Sequence, residues 1–341
     1  MKNQRIVLAA RPTGEAGPEH FRLETVDTPA VPEGHVRVRV HYLSLDPYMR
    51  MRMNGDKSYA APVEVGDVMV GGTVGEVLES RHEKFAVGDQ VVCGGGWQEV
   101  ALLDARLPGV VRKVDAGSAK SDIPLQAFLG AVGMPGVTAW VGLNHVIDAK
   151  AGETIVVDAA SGAVGGTVGQ LAKAKGCRIV GLAGGADKCA YVVDELGFDA
   201  CIDYKAHSDL KSLSQALKEA CPNGIDGHFE NVGGVILDAV MQRANAFSRV
   251  AMCGMISGYN GEPIPLAAPQ LILTNRMTVR GFIVSEHMDV WPEALGELGG
   301  LVAAGKLKYR ETVAQGLESA PEAFLGLLKG RNFGKQLVKL V

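Results

Sequence analysis

Thr154-Ile155-Val156-Val157-Asp158-Ala159-Ala160-Ser161-Gly162-Ala163-Val164-Gly165-Gly166 sets the terms for everything around it. Its first part, Thr154–Ala159, is apolar without alternation until Asp158, the pattern of a strand covered on both faces. A glycine-rich turn follows and opens onto a helical pattern over Val164–Lys175. The turn is a variant of the GxGxxG fingerprint, with Ala160 at the first glycine position. Gly162 lets the backbone approach a pyrophosphate, and Gly165 lets the helix pack close to the strand. The helix N-terminus then offers N–H groups and a positive dipole end to phosphates. Glycine-rich turns are common, and a plain strand-to-helix turn is the other reading. What decides between them is the setting.

Downstream the pattern repeats: strand Arg178–Leu182, helix Asp187–Leu196, strand Ala200–Tyr204, helix Asp209–Ala220, strand Gly227–Asn231, helix Val235–Ala244 and strand Arg249–Gly254. Apolar strands alternating with helices predict a parallel sheet, doubly wound by right-handed crossovers. Upstream the period changes to two. Val36, Val38, Val40 and Tyr42 face one way while Arg37, Arg39 and His41 face the other. Short apolar runs at Val68–Val70, Thr73–Leu78, Gln90–Cys93 and Glu99–Leu103, bounded by turn residues, predict an antiparallel barrel or sandwich. Helical stretches Trp291–Ala304 and Pro321–Leu328 precede a final strand, Lys335–Leu340, and this tail is expected to rejoin the first domain. The expected fold class is α/β: residues 125–307 form a doubly wound parallel (Rossmann) domain, and residues 1–124 with 308–341 form a mainly antiparallel β-barrel-like substrate domain.

With 341 residues, 47% of them hydrophobic, the chain suits two packed domains and excludes wholesale disorder. The net charge is -4, with no run of like charges, so no nucleic acid and no membrane surface is expected as a partner. Ile123–Ile147 lacks Asp, Glu, Lys and Arg, but Pro124, Pro135, its glycines, Asn144 and His145 argue against a spanning helix. The six cysteines form no CxxC pair or metal-ligand spacing, and MKNQRIVLAARPTG has no secretory h-region. A soluble, cytoplasmic protein with reduced thiols is the expectation.

The end of the second parallel strand discriminates between dinucleotides. NAD sites place a carboxylate there for the ribose hydroxyls. Here Ala183-Gly184-Gly185 offers none, and Lys188 follows on the next helix. A charge-assisted contact from Lys188 to a 2′-phosphate favours NADP(H), although Lys188 also reads as an ordinary helix surface residue. Asp187 is read as the helix N-cap.

A barrel-like domain followed by a doubly wound dinucleotide domain resembles the medium-chain dehydrogenase/reductase superfamily. Its zinc alcohol dehydrogenases carry a ligating Cys and a Gly-His-Glu where this chain has Ser44-Leu45-Asp46 and Gly66-Asp67-Val68. Neither place has the imidazole or thiolate that zinc prefers, so no metal is expected. Further stretches narrow the resemblance: Tyr42–Arg50, Gly133–Ala139, Ala160–Gly169, Asp203-Tyr204-Lys205, Glu230–Gly234, Cys253–Asn260 and Gly330–Lys335. Together they are similar to the zinc-independent branch of leukotriene B4 dehydrogenase/prostaglandin reductases, alkenal double-bond reductases and curcumin reductases.

That resemblance implies a GroES-like first domain and an NADPH-dependent reduction of the C=C bond of α,β-unsaturated ketones and aldehydes by a homodimer. It implies that Gly162, Ala163, Val164, Gly165 and Gly166 meet the pyrophosphate, and that Lys188 and Tyr204 hold the adenosine phosphate. Asn231 and the loop with Cys253, Gly254, Ile256, Ser257 and Tyr259 would line the cofactor. Phe282, Ile283 and Val284 would meet the carboxamide through their backbone, and Asn332 would close the site. Met134 and Thr138 would lie near the nicotinamide. Without the family, Met134 reads as core filler, Tyr204 as a strand-end tyrosine, and Asn231 and Asn332 as turn residues beside glycines. Tyr259 is the main candidate for polarising the substrate or supplying a proton, with orientation of the nicotinamide ribose as its other role. Tyr48 is a pocket wall or second donor, or else structural. Arg50 and Arg52 could meet an anionic substrate tail, and read first as surface arginines. Two other functions stay open: a quinone reductase of the same superfamily, and a non-catalytic NADPH-binding protein.

Overall fold

Each sheet follows from the period of the residues that build it. The computed structural model describes residues 1–56, 58–114, 122–261 and 263–341. The chain divides into two units, Met1–Gly130 with Glu311–Val341, and Ala131–Arg310.

The first unit opens with an antiparallel pair that the sequence reading did not include, β1 (Lys2–Leu8) and β2 (Phe21–Asp27). After them come β3 (His35–Ser44), the one-turn helix α1 (Tyr48–Arg52), β4 (Thr73–Ser80), β5 (Gln90–Cys93), β6 (Val100–Asp104) and β7 (Val111–Lys113). Alternation decides which face of β3 is inside. Val36, Val38 and Val40 are wholly buried, and Arg39 between them is exposed. Val77, Val91 and Ala101 complete that apolar layer. The expected strand at Val68–Val70 is absent as a strand. Gly66, at φ +95°, and Gly71-Gly72 hem in the segment, and its backbone bonds go to β1 instead, with the Met69 N–H donating to the Ile6 carbonyl at 3.0 Å.

The second unit begins with α2 (Met134–Val141), which runs into a π-helical turn over Gly142–Ile147. Then β8 (Thr154–Val157), α3 (Ala163–Ala174), β9 (Arg178–Ala183), α4 (Ala186–Asp194), β10 (Ala200–Asp203), α5 (Leu210–Ala220), β11 (Ile225–Glu230), α6 (Val235–Met241) and β12 (Ala244–Met252) alternate. They are followed by α7 (Gln270–Thr274), β13 (Thr278–Gly281) and α8 (Trp291–Ala303). The sheet order is β10-β9-β8-β11-β12-β13, with every adjacent pair parallel. Such a sheet switches direction beside its first strand, here between β8 and β11, where doubly wound folds bind their ligands. Ile155, Val156, Val157, Ile179 and Val180 are wholly buried, as continuous apolar strands require. Among the described residues, no helix is long and apolar enough to cross a membrane.

Three boundaries differ from expectation. β8 stops at Val157, because Ala159 turns left-handed at φ +43° and ends the extended run. α4 starts at Ala186 with Gly185 as its N-cap, so Asp187 lies in the first turn and is not the cap. The reason is that the Gly185 N–H is already bound at 2.8 Å by the Asp203 carboxylate, which fixes the turn one step earlier. β13 was missed because its four residues are exposed and carry no apolar run.

The chain then returns through β14 (Glu311–Gln315), α9 (Ala320–Leu328) and β15 (Lys335–Lys339). β15 pairs antiparallel with β3, placing Leu337 opposite Ser44. An aromatic core joins the tail to the N-terminal hairpin. Phe21 stacks on Trp97 at 5.4 Å between centroids, and Phe324 of α9 meets Trp97 edge-on at 5.6 Å. A second tie is ionic. Lys335, 4% exposed, donates from Nζ to the Leu45 carbonyl at 2.6 Å and to Asp46 Oδ1 at 2.7 Å, and the Ser44 hydroxyl donates to the other Asp46 oxygen. Lys335→Met would leave the Asp46 carboxylate buried without its cation and is expected to cost about 3–5 kcal/mol in urea unfolding. A loss below about 1 kcal/mol would show that apolar packing alone holds the tail.

Candidate nucleotide-binding and active site

The turn after β8 is shaped by near-contact of two backbones. A Cβ placed on Gly165 would lie 2.5 Å from the Ala159 carbonyl oxygen and 2.9 Å from that of Asp158. No residue but glycine lets α3 approach the strand end so closely. Gly162 caps α3 from extended backbone with no side-chain cap, and its N–H donates to the Ala159 carbonyl at 2.8 Å. The first turn of α3 therefore presents the uncapped N–H groups of Ala163, Val164 and Gly165, the arrangement that suits a phosphate, while the Gly166 N–H already donates to the Gly162 carbonyl at 3.0 Å.

The tip of β9 carries positive charge. Lys188 on α4 and Lys205, just past β10, are near enough that the Lys205 charge disfavours the Lys188 ammonium. Burial first, and then Lys205, lowers the Lys188 pKa. Lys205 and Tyr204 both pack on Gly184: a Cβ there would come within 2.8 Å of Lys205 Cε and 3.0 Å of the Tyr204 hydroxyl. Burial, with Asp203 and Asp158 behind it, raises the Tyr204 pKa, so its phenol is neutral and able to donate. Asp203 is occupied with the backbone, accepting from Gly185 N at 2.8 Å and Lys205 N at 3.0 Å. Asp187 is exposed. Lys205 was quoted in the sequence motif but not singled out. Its signal was adjacency to Tyr204.

At the switch point, Asn231 and the loop after β12 are bound together. The Asn231 amide donates to the Asp158 carboxylate at 3.0 Å, and the Asn231 carbonyl accepts from Ile256 N at 3.1 Å. The Val232 carbonyl accepts from both the N–H and the hydroxyl of Ser257, at 3.0 and 2.6 Å. Cys253 and Gly254 donate their N–H groups to the Glu230 carbonyl at 2.9 and 3.1 Å. Tyr259 turns back onto this loop, its phenol oxygen accepting from Met255 N at 3.4 Å. Burial first, and then the Asp158 and Glu230 carboxyls, pushes the Cys253 thiol up to about 12, so it is no thiolate at neutral pH. Asp158, Glu230 and His228 beneath the loop escaped sequence reading, although two carboxylates closing apolar strands were visible signs.

Thr138, 6% exposed on α2, donates to the Met134 carbonyl at 2.8 Å. Phe282 is buried edge-on against Phe229, and the Val284 carbonyl accepts from Trp291 Nε1 at 3.1 Å. In the first unit, Tyr48 starts α1 directly after Asp46 and Pro47. Burial, followed by the Asp46 charge, raises its pKa, so it too is a neutral phenol. The Asn332 amide donates to the Gly334 carbonyl at 2.7 Å, within its own turn. Arg50 is corrected. It is 1% exposed, not on the surface, and its guanidinium donates to Asn54 Oδ1 at 2.7 Å and to the Gly14 carbonyl at 2.6 Å. The fork ties the Gly14 segment to the end of α1.

A doubly wound nucleotide unit attached to a mainly antiparallel unit of this kind defines a two-domain dehydrogenase/reductase. Residues 4–110 match the family model described as the N-terminal domain of oxidoreductase, and residues 163–299 match the one described as zinc-binding dehydrogenase. The NADPH-dependent curcumin reductase of Escherichia coli is 44% identical over 99% of this chain and 97% of its own. The NADP(+)-dependent 2-alkenal reductase of Nicotiana tabacum is 41% identical over 99% of this chain and 97% of its own. The crystal structure of CurA from Vibrio vulnificus in complex with NADPH superposes with a TM-score of 0.91 at 43% identity, covering 99% of each chain. The chain belongs to the medium-chain dehydrogenase/reductase family, in the branch of the curcumin, alkenal and prostaglandin reductases.

The lysine pair yields a quantitative expectation. Lys188→Ala and Lys205→Ala should each weaken NADPH binding by about tenfold while leaving NADH within about twofold, read by fluorescence titration. Equal losses for both nucleotides would remove the 2′-phosphate from this corner.

Proposed function

We propose that this protein reduces the C=C bond of α,β-unsaturated ketones and aldehydes with NADPH. The observation that carries the reading is the charged corner at the tip of β9, where Lys188 and Lys205 come close, Lys205 and Tyr204 pack on Gly184, and the Asp203 carboxylate is occupied by backbone N–H groups. The names of its relatives, curcumin reductase and 2-alkenal reductase, fit such a site.

In this reading the N–H groups of Ala163, Val164 and Gly165 hold the pyrophosphate, and Lys188, Lys205 and Tyr204 hold the 2′-phosphate. Asn231 with the Cys253–Tyr259 loop, and Met134 with Thr138, frame the nicotinamide, while Phe282–Val284 meet its carboxamide through the backbone and Asn332 closes the site. NADPH, when bound, supplies hydride to the β-carbon of the enone. Negative charge then gathers on the conjugated oxygen, where a preorganised hydrogen-bond donor lowers the barrier without a metal, and a proton taken up at the α-carbon completes the reduction. Tyr259 is the donor we assign, and Tyr48 the second donor or pocket wall. A phenol donates to a developing oxyanion while remaining neutral, so neither tyrosine needs a lowered pKa.

Tyr259→Phe is expected to lower kcat by about a hundredfold or more, with NADPH binding within about threefold. Unchanged turnover would remove Tyr259 from the chemistry. A panel of enones, alkenals and simple quinones followed by NADPH absorbance tests the reaction itself. Enones should be turned over faster than quinones, and NADPH used in preference to NADH.

The finer reading is a cytoplasmic homodimer. The six free thiols suit a reducing compartment. β13 is the outer edge of its sheet with all four residues exposed, and Leu273 and Phe247 nearby in sequence and sheet are 79% and 65% exposed. An open edge of this kind is a template for pairing with a second copy. Sedimentation should show a dimer, and Val279→Lys a monomer; a wild-type monomer would overturn the assignment.

A further inference from the structure

Beneath the Asn231–Ser257 loop lies a group of ionisable side chains that the proposed chemistry does not use. Asp158 at the end of β8 and Glu230 at the end of β11 are 0% exposed, and His228, two residues before Glu230, is 1% exposed. Their nitrogen and oxygen atoms lie within 4.8 Å of one another, a spacing at which three such groups could hold a metal ion. Their hydrogen bonds point to another use. Glu230 Oε1 accepts from Val232 N and Gly233 N, both at 2.6 Å, and Oε2 faces His228 Nε2 at 3.0 Å. Asp158 Oδ1 accepts from Asn231 N at 2.7 Å and from the Asn231 amide at 3.0 Å. Asp158 Oδ2 accepts from Val232 N at 3.1 Å. Each of the four carboxyl oxygens already has a hydrogen-bond partner within the protein.

Counting hydrogens gives the charge. His228 Nδ1 faces the Val156 carbonyl at 3.1 Å, and a carbonyl only accepts, so Nδ1 carries hydrogen. One hydrogen must lie between Nε2 and Glu230 Oε2. One more is needed by the Asp158 and Glu230 carboxyls, which lie within 4.8 Å of each other in a buried corner where two negative charges would repel. A neutral imidazole accounts for one of the three. The other two balance the two carboxylates, and the group as a whole is neutral. Burying it then avoids the penalty of an isolated charge.

We infer that Asp158, Glu230 and His228 form a net-neutral, proton-sharing unit, with Asp158 held as the acid, that positions the cofactor-facing turn Asn231–Gly234 and through it the Cys253–Ser257 loop. Asp158 grips Asn231, Glu230 grips the next two residues, and the carbonyls of that turn grip the loop. The proton on Asp158 is what lets two carboxyls share one corner of the switch point. Burial first, and then the neighbouring Glu230 charge, raises the Asp158 pKa, in keeping with the hydrogen count. For Glu230 burial works the other way, but the His228 hydrogen bond and charge outweigh it and keep Glu230 ionised. These are positioning residues. The inference rests on the reading above that this turn and loop face the nicotinamide.

Two substitutions separate the roles. Asp158→Asn keeps a neutral group that can donate to Glu230 and accept from Asn231, so NADPH affinity should stay within about threefold. Glu230→Ala removes the acceptor that holds Val232 N and Gly233 N, so NADPH affinity should fall about tenfold or more. The infrared difference spectrum of wild type against Asp158→Asn at neutral pH should show the carbonyl band of a protonated carboxylic acid in the wild type alone. A missing band, or equal losses of NADPH affinity in the two variants, would overturn the inference. The band is read without cofactor. A wild-type protein that shows it but binds no NADPH would instead sink the proposed function.

Discussion

Everything in the nucleotide-binding unit depends on how closely the N-terminus of α3 approaches the end of β8. The approach is a matter of a single missing methyl group, at Gly165, facing two carbonyl oxygens. With it, the α3 N–H groups project beyond the sheet edge, the Ala159 carbonyl ties back to Gly162, and the strand ends at Val157. Asp158 is thereby carried out of the sheet and into the corner it shares with Glu230. The left-handed Ala159 is the conformational cost of that geometry, of the kind that functional turns carry.

Charge is handled in opposite ways at the two ends of the switch region. At the tip of β9 two lysines are placed close together, and burial with the Lys205 charge lowers the Lys188 pKa, an arrangement that suits an anion. Beneath the Asn231 turn two carboxyls are placed together, and protons and backbone N–H groups neutralise them internally. The first arrangement awaits a ligand. The second holds shape, because a buried group whose lone pairs are all engaged gains little from moving. The first unit has a counterpart in Lys335, Asp46 and Ser44, where an ammonium and a carboxylate are buried together in front of Tyr48.

Much of this was legible in the residues themselves. Unbroken apolar strands spaced by helices specified a doubly wound sheet, and the period-two run in β3 specified the antiparallel unit, because burial on two faces or one leaves a different repeat. The glycine turn and the missing carboxylate after β9 were equally local. Lys205 was harder to weigh, since an exposed lysine gains meaning only when Lys188 and Gly184 are brought beside it. β13 escaped notice because an exposed edge strand need not carry any apolar pattern at all.

Local pattern alone therefore determined the class of each sheet and the position of the nucleotide turn, properties carried by spacing along the chain, while the family followed from the resemblance of whole motifs. Which carboxyl is an acid, which arginine is inside and where each helix is capped were decided only by the folded molecule. Arg50, Asp187, Asp158 and Glu230 show the physical reason. A polar group's state depends on the partners that meet it and on the water it has lost, and those partners come from strands and loops far away in sequence.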